Sequence, residues 1–207
     1  MKIDILTIFP ELFGSFLDNG IVYRAREKRL LEVELHNIRD YTTDKHHQVD
    51  DYPFGGGAGM VMKPEPLHAA ITTVSKKEDI PVVYFTPQGR LLNQNIVNRY
   101  KGKQRLILLC GHYKEIDQRI RDTLVTDEIS IGDYVLSGGE VPAMVMIDAV
   151  ARLIDGVIGD IESALTDSHQ QGLLGVPHYT RPSEFRGMKV PDVLVSGNHA
   201  EIDKWRE

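Results

Sequence analysis

Three short segments of this 207-residue chain place bare or lightly substituted backbone after apolar runs: FTPQGR (85–90), CGHY (110–113) and IGDYVLSGGEVP (131–142). In open α/β sheets ligands sit beyond the carboxyl ends of strands. Glycine carries no Cβ, so three such loops gathered there would offer N–H and C=O groups without side-chain obstruction, which suits the edges of an adenine ring and a ribose. Taken singly, each loop reads better as an ordinary tight turn. Other chemistries find less support. No G-x-G-x-x-G follows the first strand, which argues against a nicotinamide dinucleotide site, and GGGAG (55–59) is followed by Met60 and Val61 where a phosphate loop needs Gly-Lys-Ser or Gly-Lys-Thr. DKHHQVDD (44–51) offers His46, His47, Asp50 and Asp51, but adjacent histidines point apart and no H-E-x-x-H or closed ligand set exists, so it reads as a solvated loop and no metal site is expected. The single cysteine, Cys110, can form no internal disulfide and no cysteine cage; it agrees with a reducing compartment and reads as a small apolar residue at a strand end.

The net charge of −6 is unevenly spread, with basic residues concentrated in the first 120 positions. Two clusters stand out, one of Arg24, Arg26, Lys28 and Arg29, the other of Arg99, Lys101, Lys103 and Arg105. Their spacing fits solvated helix ends; an acidic protein can still bind RNA through a local basic face. The length and the 42% hydrophobic content allow one main core and a small appendage. Lys2, Asp4 and Glu11 interrupt the apolar runs of the N-terminus, and no segment reaches the ~18 apolar residues of a membrane span. A soluble, cytoplasmic protein without membrane partners is expected.

The elements that must position those loops alternate in type. KIDILTI (2–8), EVELHNI (32–38), PVVYF (81–85), LILLC (106–110) and DEISI (127–131) read as strands. Between them lie helical patterns: the stretch opened by Pro10 with Leu12, Phe13, Phe16 and Leu17, then VYRAREKRL, PEPLHAAITTV (64–74), NQNIVNRY (93–100), IDQRIRDTL (116–124) and VPAMVMIDAVARLI (141–154). The alternation predicts an α/β protein with a mostly parallel sheet flanked by helices on both faces. From Gly156 to Gly187 the periodicity fails over a stretch too long for an idle connection, as in a lid or linker. Beyond it, DVLVSG suggests a short extended piece and NHAEIDKWRE a helix. No internal repeat is visible.

DYPFGGGAGMVMKPEP, CGHY, TDEISIGDYVLSGGEVPAM, PHYTRP and VPDVLVSGNH together resemble the bacterial tRNA (guanine-N1)-methyltransferases of the SPOUT class, and the resemblance covers almost the whole chain. It implies a deep C-terminal trefoil knot, where physics alone predicts an ordinary doubly wound sheet because true knots are nearly absent among folds. It also implies a homodimer with active sites at the subunit interface, S-adenosylmethionine as methyl donor, and tRNA as substrate, methylated at N1 of the guanine immediately 3′ of the anticodon. The implied divisions are a methyltransferase domain at 1–160, a linker or lid at 161–187, and the start of a small helical C-terminal domain at 188–207.

By the same resemblance, bent S-adenosylmethionine would be enclosed by Tyr84, Phe85, Thr86, Pro87, Gln88 and Gly89, by Gly111 and Tyr113, and by Ser130, Ile131, Gly132, Asp133, Tyr134, Val135 and Leu136 with Gly138, Gly139 and Pro142. Asp167 in TDSHQQGLL becomes the general base and Arg152 a positioning and charge-stabilising group; Ser168, His178 and Arg181 are candidates for touching the nucleotide or its phosphates. From its neighbours alone, Asp167 between Thr166 and Ser168 is a helix cap, and Arg152 a surface partner of Asp148 or Asp155. The assigned chemistry is coherent. A sulfonium methyl is already activated, so the enzyme must align donor and nucleophile and remove the guanine N1 proton. Negative charge then moves toward O6, where a guanidinium stabilises it. A placed carboxylate contributes about 10²- to 10⁴-fold, and with an ordinary pKa of ~3.9 it must owe this to placement in a closed site.

The chain departs from the family in three places. Lys114 and Glu115 stand where the family has Glu-Gly after GHY, which moves the expected contact to the donor's amino group onto Glu115; His169 stands where Phe is common, which alters the lid's packing. Family members continue past WR into a helical domain that grips tRNA, so a chain ending at Glu207 is expected to keep donor binding better than RNA turnover. Mg²⁺ is plausible by family, with no ligand motif for it. A SPOUT-class enzyme acting on another RNA would keep the donor loops without the Arg152 and Asp167 pair, and a noncatalytic nucleotide- or RNA-binding module would tolerate loss of Asp167.

Overall fold

A computed structural model describes residues 1–76, 78–158, 168–169 and 174–206. The chain divides into two compact units, Met1–Ala164 and Leu165–Glu207. The first unit runs β1 (Lys2–Thr7), a 3₁₀ turn at Pro10–Phe13, α1 (Gly14–Leu17), α2 (Gly20–Glu27), β2 (Glu32–Asn37), a second 3₁₀ turn at Ile38–Tyr41, β3 (Asp50–Asp51), β4 (Val61–Met62), α3 (Pro64–Ser75), β5 (Val82–Leu91), α4 (Gln94–Lys101), β6 (Arg105–Leu109), β7 (Glu115–Ile116), α5 (Gln118–Thr123), β8 (Asp127–Ser130) and α6 (Glu140–Ala151). Five strands form one sheet in the order β2-β1-β6-β5-β8, and every neighbouring pair is parallel.

Both faces of this sheet are covered, and the two-residue period of a strand sorts its side chains between them. Val83, Phe85, Leu106, Leu108 and Cys110 pack with Val22 and Ala25 of α2, Ile96 and Val97 of α4, and Met146, Ile147 and Val150 of α6. Val82, Tyr84, Ile107 and Leu109 point the other way, onto Leu67, Ala70, Ile71 and Val74 of α3 and Ile120 of α5. At about 1.5–3 kcal/mol for each fully buried apolar side chain, these two layers supply most of the drive to fold. Local signals place the helix starts. Pro64 opens α3 where its missing N–H is no loss. Asn93 and Asp117 cap α4 and α5 by accepting from the N–H groups of Ile96 and Arg119.

Several boundaries differ from the sequence expectation. FTPQGR is not a free loop, because β5 continues to Leu91 and its pairing with β8 slips from Phe85↔Ile129 to Arg90↔Ile129. The intervening residues bulge outward at Pro87, which has no N–H to give a ladder. The helix expected at 116–124 begins at Gln118, since Glu115 and Ile116 pair in parallel with Val61 and Met62. The polar stretch before α3 contains the β3–β4 hairpin, which joins β7 in a three-stranded sheet.

The second unit holds a hairpin of β9 (Glu184–Phe185) and β10 (Met188–Lys189), then helices at Asp192–Val195 and His199–Arg206. DVLVSG is therefore helical over its first residues rather than extended: Leu194 donates to Pro191 and Ser196 to Val193, closing successive turns.

Candidate active site at the strand ends

The carboxyl ends of β5, β6 and β8 open onto one cleft. Its wall takes in residues 84–87, Gly111 and Tyr113, residues 130–132 and 134–136, Gly138 and Pro142. His112, Lys114, Glu115, Ile129 and Ser137 join them. The three glycine-containing segments are thus brought together. Gln88, Gly89, Asp133 and Gly139 are not on the wall.

At two of the glycines, neither of them on the wall, packing itself requires bare backbone. A Cβ on Gly89 would lie 2.5 Å from the backbone of Glu128 and Ile129, and one on Gly139 would lie 2.6 Å from the Cα of Cys110. Both would collide with main chain that has no room to retreat. The Gly139 N–H donates to the Gly111 carbonyl at 3.0 Å, and His112 bridges Gly138, so the Ser-Gly-Gly segment is clasped directly against the CGHY loop. The glycines serve loop-on-loop contact first. The β8 loop is also braced internally, Tyr134 Oη donating to the Ile131 carbonyl at 3.1 Å and Ser130 Oγ accepting from Gly132 N at 3.2 Å.

Two carboxylates stand at this end of the sheet. Glu115, on the wall, accepts from the Tyr84 hydroxyl and from Thr86 Oγ1, and Arg121 approaches it at 3.5 Å while making a two-pronged pair with Glu128 at 2.7 and 2.8 Å. Burial, and then the neighbouring Glu115 carboxylate, push the Tyr84 phenol far above its ordinary range, so it stays a neutral donor. Glu140 opens α6 almost fully buried. It accepts from Thr7 Oγ1 at 2.6 Å, and His112 Nε2 lies 2.7 Å from its other oxygen. Thr7 in turn accepts from Phe9 N, so the end of β1, the β6 loop and the start of α6 are joined through one carboxylate. Burial raises the Cys110 thiol well above its usual value, which leaves it an inert packing group as the sequence suggested.

Arg152 is exposed at the C-terminal end of α6, where its N–H donates to the Asp148 carbonyl at 3.2 Å. Asp167 lies outside the described residues. In the second unit Ser168 Oγ accepts from Gly175 N at 2.8 Å, and His178 and Arg181 are exposed. Among the described residues one group has metal-ligand geometry, Asp4, Glu34 and His36, their ligand atoms within 4.8 Å. It sits along β1 and β2, outside the cleft wall, and is already occupied by cations: Arg105 Nε holds Asp4 at 2.8 Å and Lys2 holds Glu34 at 2.6 Å. No helix of the described structure is long and apolar enough to cross a membrane.

Lys114, His112 and Glu115 were legible only in part. Lys114 and Glu115 stood out as a departure next to GHY and His112 as part of CGHY, but none was assigned to the donor by the motifs themselves; the place of Lys114 and Glu115 on the wall comes from β7 pairing with β4, which draws the chain after CGHY along the cleft.

Comparisons with known proteins agree with this geometry. The family model described as "tRNA (Guanine-1)-methyltransferase TrmD" matches residues 1–207. A tRNA (guanine-N(1)-)-methyltransferase of Dehalococcoides mccartyi is 56% identical over 208 residues, covering 100% of this chain and 84% of the relative. The protein of the same name from Clostridioides difficile is 53% identical over 209 residues, covering 100% and 90%. Among solved structures, the crystal structure of tRNA (m1G37) methyltransferase from Aquifex aeolicus superposes with a TM-score of 0.82 at 40% identity, covering 99% of this chain and 87% of that one. A parallel sheet with a strand-end cleft, matched across its whole length by these relatives, makes this chain a member of the tRNA (guanine-1)-methyltransferase family, with the SPOUT-class fold.

Proposed function

We propose that this chain transfers a methyl group from S-adenosylmethionine to N1 of the guanine immediately 3′ of the anticodon in tRNA. The single observation that carries the proposal is the cleft where the ends of β5, β6 and β8 meet, walled by the same segments that the family motifs assign to the donor. The Aquifex relative, described as an m1G37 methyltransferase, supports the position on tRNA. The donor's adenine and ribose meet main-chain groups of residues 130–138, and its amino group meets Glu115, which Tyr84 and Arg121 hold in place. The donor supplies the activated methyl. Asp167 takes the N1 proton, and Arg152 stabilises the charge that develops at O6, a use of fixed charge in a water-poor site. Ser168, His178 and Arg181 of the second unit meet the RNA. Mg²⁺ remains an optional addition without a ligand set of its own.

The working unit is a homodimer with the active site at the subunit interface. Val141 and Val145 of α6 and Tyr134, Val135 and Leu136 beside them are exposed, an apolar band running along the cleft's edge that a second copy would cover. The loop contacts through Gly138 and Gly139 support the knotted chain path of the family. The division into a methyltransferase domain at 1–160, a lid at 161–187 and a C-terminal helical part at 188–207 belongs to the same reading.

Transfer of labelled methyl from the donor to unmodified tRNA tests the proposal. Asp167→Ala should lower turnover by at least about 10²-fold with donor affinity nearly unchanged. Equal labelling by both proteins removes Asp167 as base, and labelling of an RNA other than tRNA removes the substrate assignment.

A further inference from the structure

We infer that the turn at the tip of the β3–β4 hairpin is a stacking platform for an unpaired tRNA base beside the target guanine, with Phe54 as its face. The inference rests on the tRNA reading above and deepens it.

Phe54 is 103% exposed and Tyr52 79% exposed, an extreme position for two neighbouring aromatic rings. The turn that carries them is held in shape. Gly56 N donates to the Pro53 carbonyl at 3.3 Å, closing a β-turn with Phe54 at its second position and Gly55, at φ +84°, at its third. A positive φ there is what a type II turn requires, and it leaves the second residue on the outer corner. Gly56 and Gly57 continue at φ +78° and +112°. Nothing lies within 4 Å of a Cβ built on any of the three. These glycines therefore set the path of the backbone, unlike Gly89 and Gly139, which make room for it. The path keeps Phe54 pointing into solvent.

Strand pairing fixes where the turn sits. Asp51 pairs with Val61 and Val61 with Glu115, while Lys114 N donates to the Met60 carbonyl at 2.9 Å and the Cβ direction of Gly59 meets Lys114 Cβ at 3.6 Å. Lys114 and Glu115 line the cleft. The aromatic turn thus extends from the cleft's mouth, with an ammonium group at its base. A flat apolar ring next to a lysine, at the entrance to a site for a nucleobase, is the combination that takes single-stranded RNA: every base has a face to stack, and the backbone phosphate meets the cation. A phosphate cradle is excluded because no Gly-Lys-Ser or Gly-Lys-Thr follows the glycines. The dimer reading above assigns the second copy of the chain to the exposed Val141 and Val145 of α6 rather than to this turn.

The test uses the full chain and anticodon stem-loop RNAs in which 2-aminopurine replaces, in turn, the nucleotide on each side of the target guanine. Wild type should quench one of the two probes on binding. Phe54→Ala should lose that quench and bind the RNA about tenfold more weakly, and Phe54→Trp should restore both. Donor affinity by calorimetry and mass by sedimentation should stay the same in all three proteins. Wild-type quench and affinity in Phe54→Ala would overturn the platform; a change in sedimentation mass would place Phe54 between copies of the chain and overturn it as well. A failure of the methyltransferase reading appears elsewhere, as wild type that does not label tRNA, and the quench is read without turnover.

Discussion

Toward the start of β1 and β6 Asp4 is enclosed by Arg105 and His36, at 2.8 and 2.9 Å, while beyond the strand ends Glu140 is buried against Thr7 and His112 and Glu115, held by hydroxyls and an arginine, lines an open cleft. At the N-terminal end one partner is a guanidinium and the site is filled, with Arg105 also reaching the Val74 carbonyl at 2.8 Å. At the C-terminal end much of the partnering is neutral: Tyr84, Thr86 and Thr7 hold the carboxylates by O–H donation. Full charge pairing serves cohesion. Neutral pairing leaves negative charge available to something that enters.

The largest expected break in this comparison is Asp4→Ala. Removing one partner leaves the half-buried Arg105 with only the more exposed Glu78 at 3.4 Å as counter-charge, which should lower folding stability by about 2–4 kcal/mol in denaturant titration. Donor affinity should not change, and a parallel loss of it would mean that the two ends are not independent. Gly139→Ala comes next and acts at the other end. Its methyl would press on the Cys110 backbone, so stability should fall by ~1–3 kcal/mol and donor binding, read by calorimetry, by tenfold or more. Intact donor affinity would show that the clasp between the two loops does not shape the cleft. Tyr84→Phe is milder. It deletes one donor to Glu115 while Arg121 remains, for about 1 kcal/mol in stability and a few-fold weaker donor binding.

The last contrast is in pH. Burial alone would raise the Asp4 carboxyl; hydrogen bonds from His36 and Arg105 and the charges of Arg105 and Lys2 outweigh it and hold the group below its ordinary value. A group whose pKa is lower in the folded state stabilises above its unfolded value, near 3.9, and that stability disappears as pH falls through the folded value. In acid unfolding followed by circular dichroism, Asp4→Asn should lack this part of the transition. An unchanged acid midpoint would remove Asp4 as its source.

How legible the molecule was in its residues depends on the range of the forces involved. β5 and β6 announce themselves because strands covered on both faces must be apolar throughout, as VVYF and LILL are. The strands β3, β4 and β7 are two residues long and have no period to read; β4 and β7 exist because each finds a backbone partner 54 residues away. The cleft was found through its glycines, yet the reason for Gly89 and Gly139 was hidden, since each answers to a segment distant in sequence. The knot and the paired roles of Asp167 and Arg152 were legible only through family likeness, for no local pattern carries them.

Thr7 and Glu140 touch across 133 intervening steps of chain. A ribosome delivers the first strand early and the start of α6 late, so nascent protein shorter than this lacks the carboxylate that joins Thr7 to His112. Long-range closure of this sort is slow compared with local turns. The bridge that joins the end of β1, the β6 loop and the start of α6 is therefore completed late in synthesis, when one glutamate reaches its place.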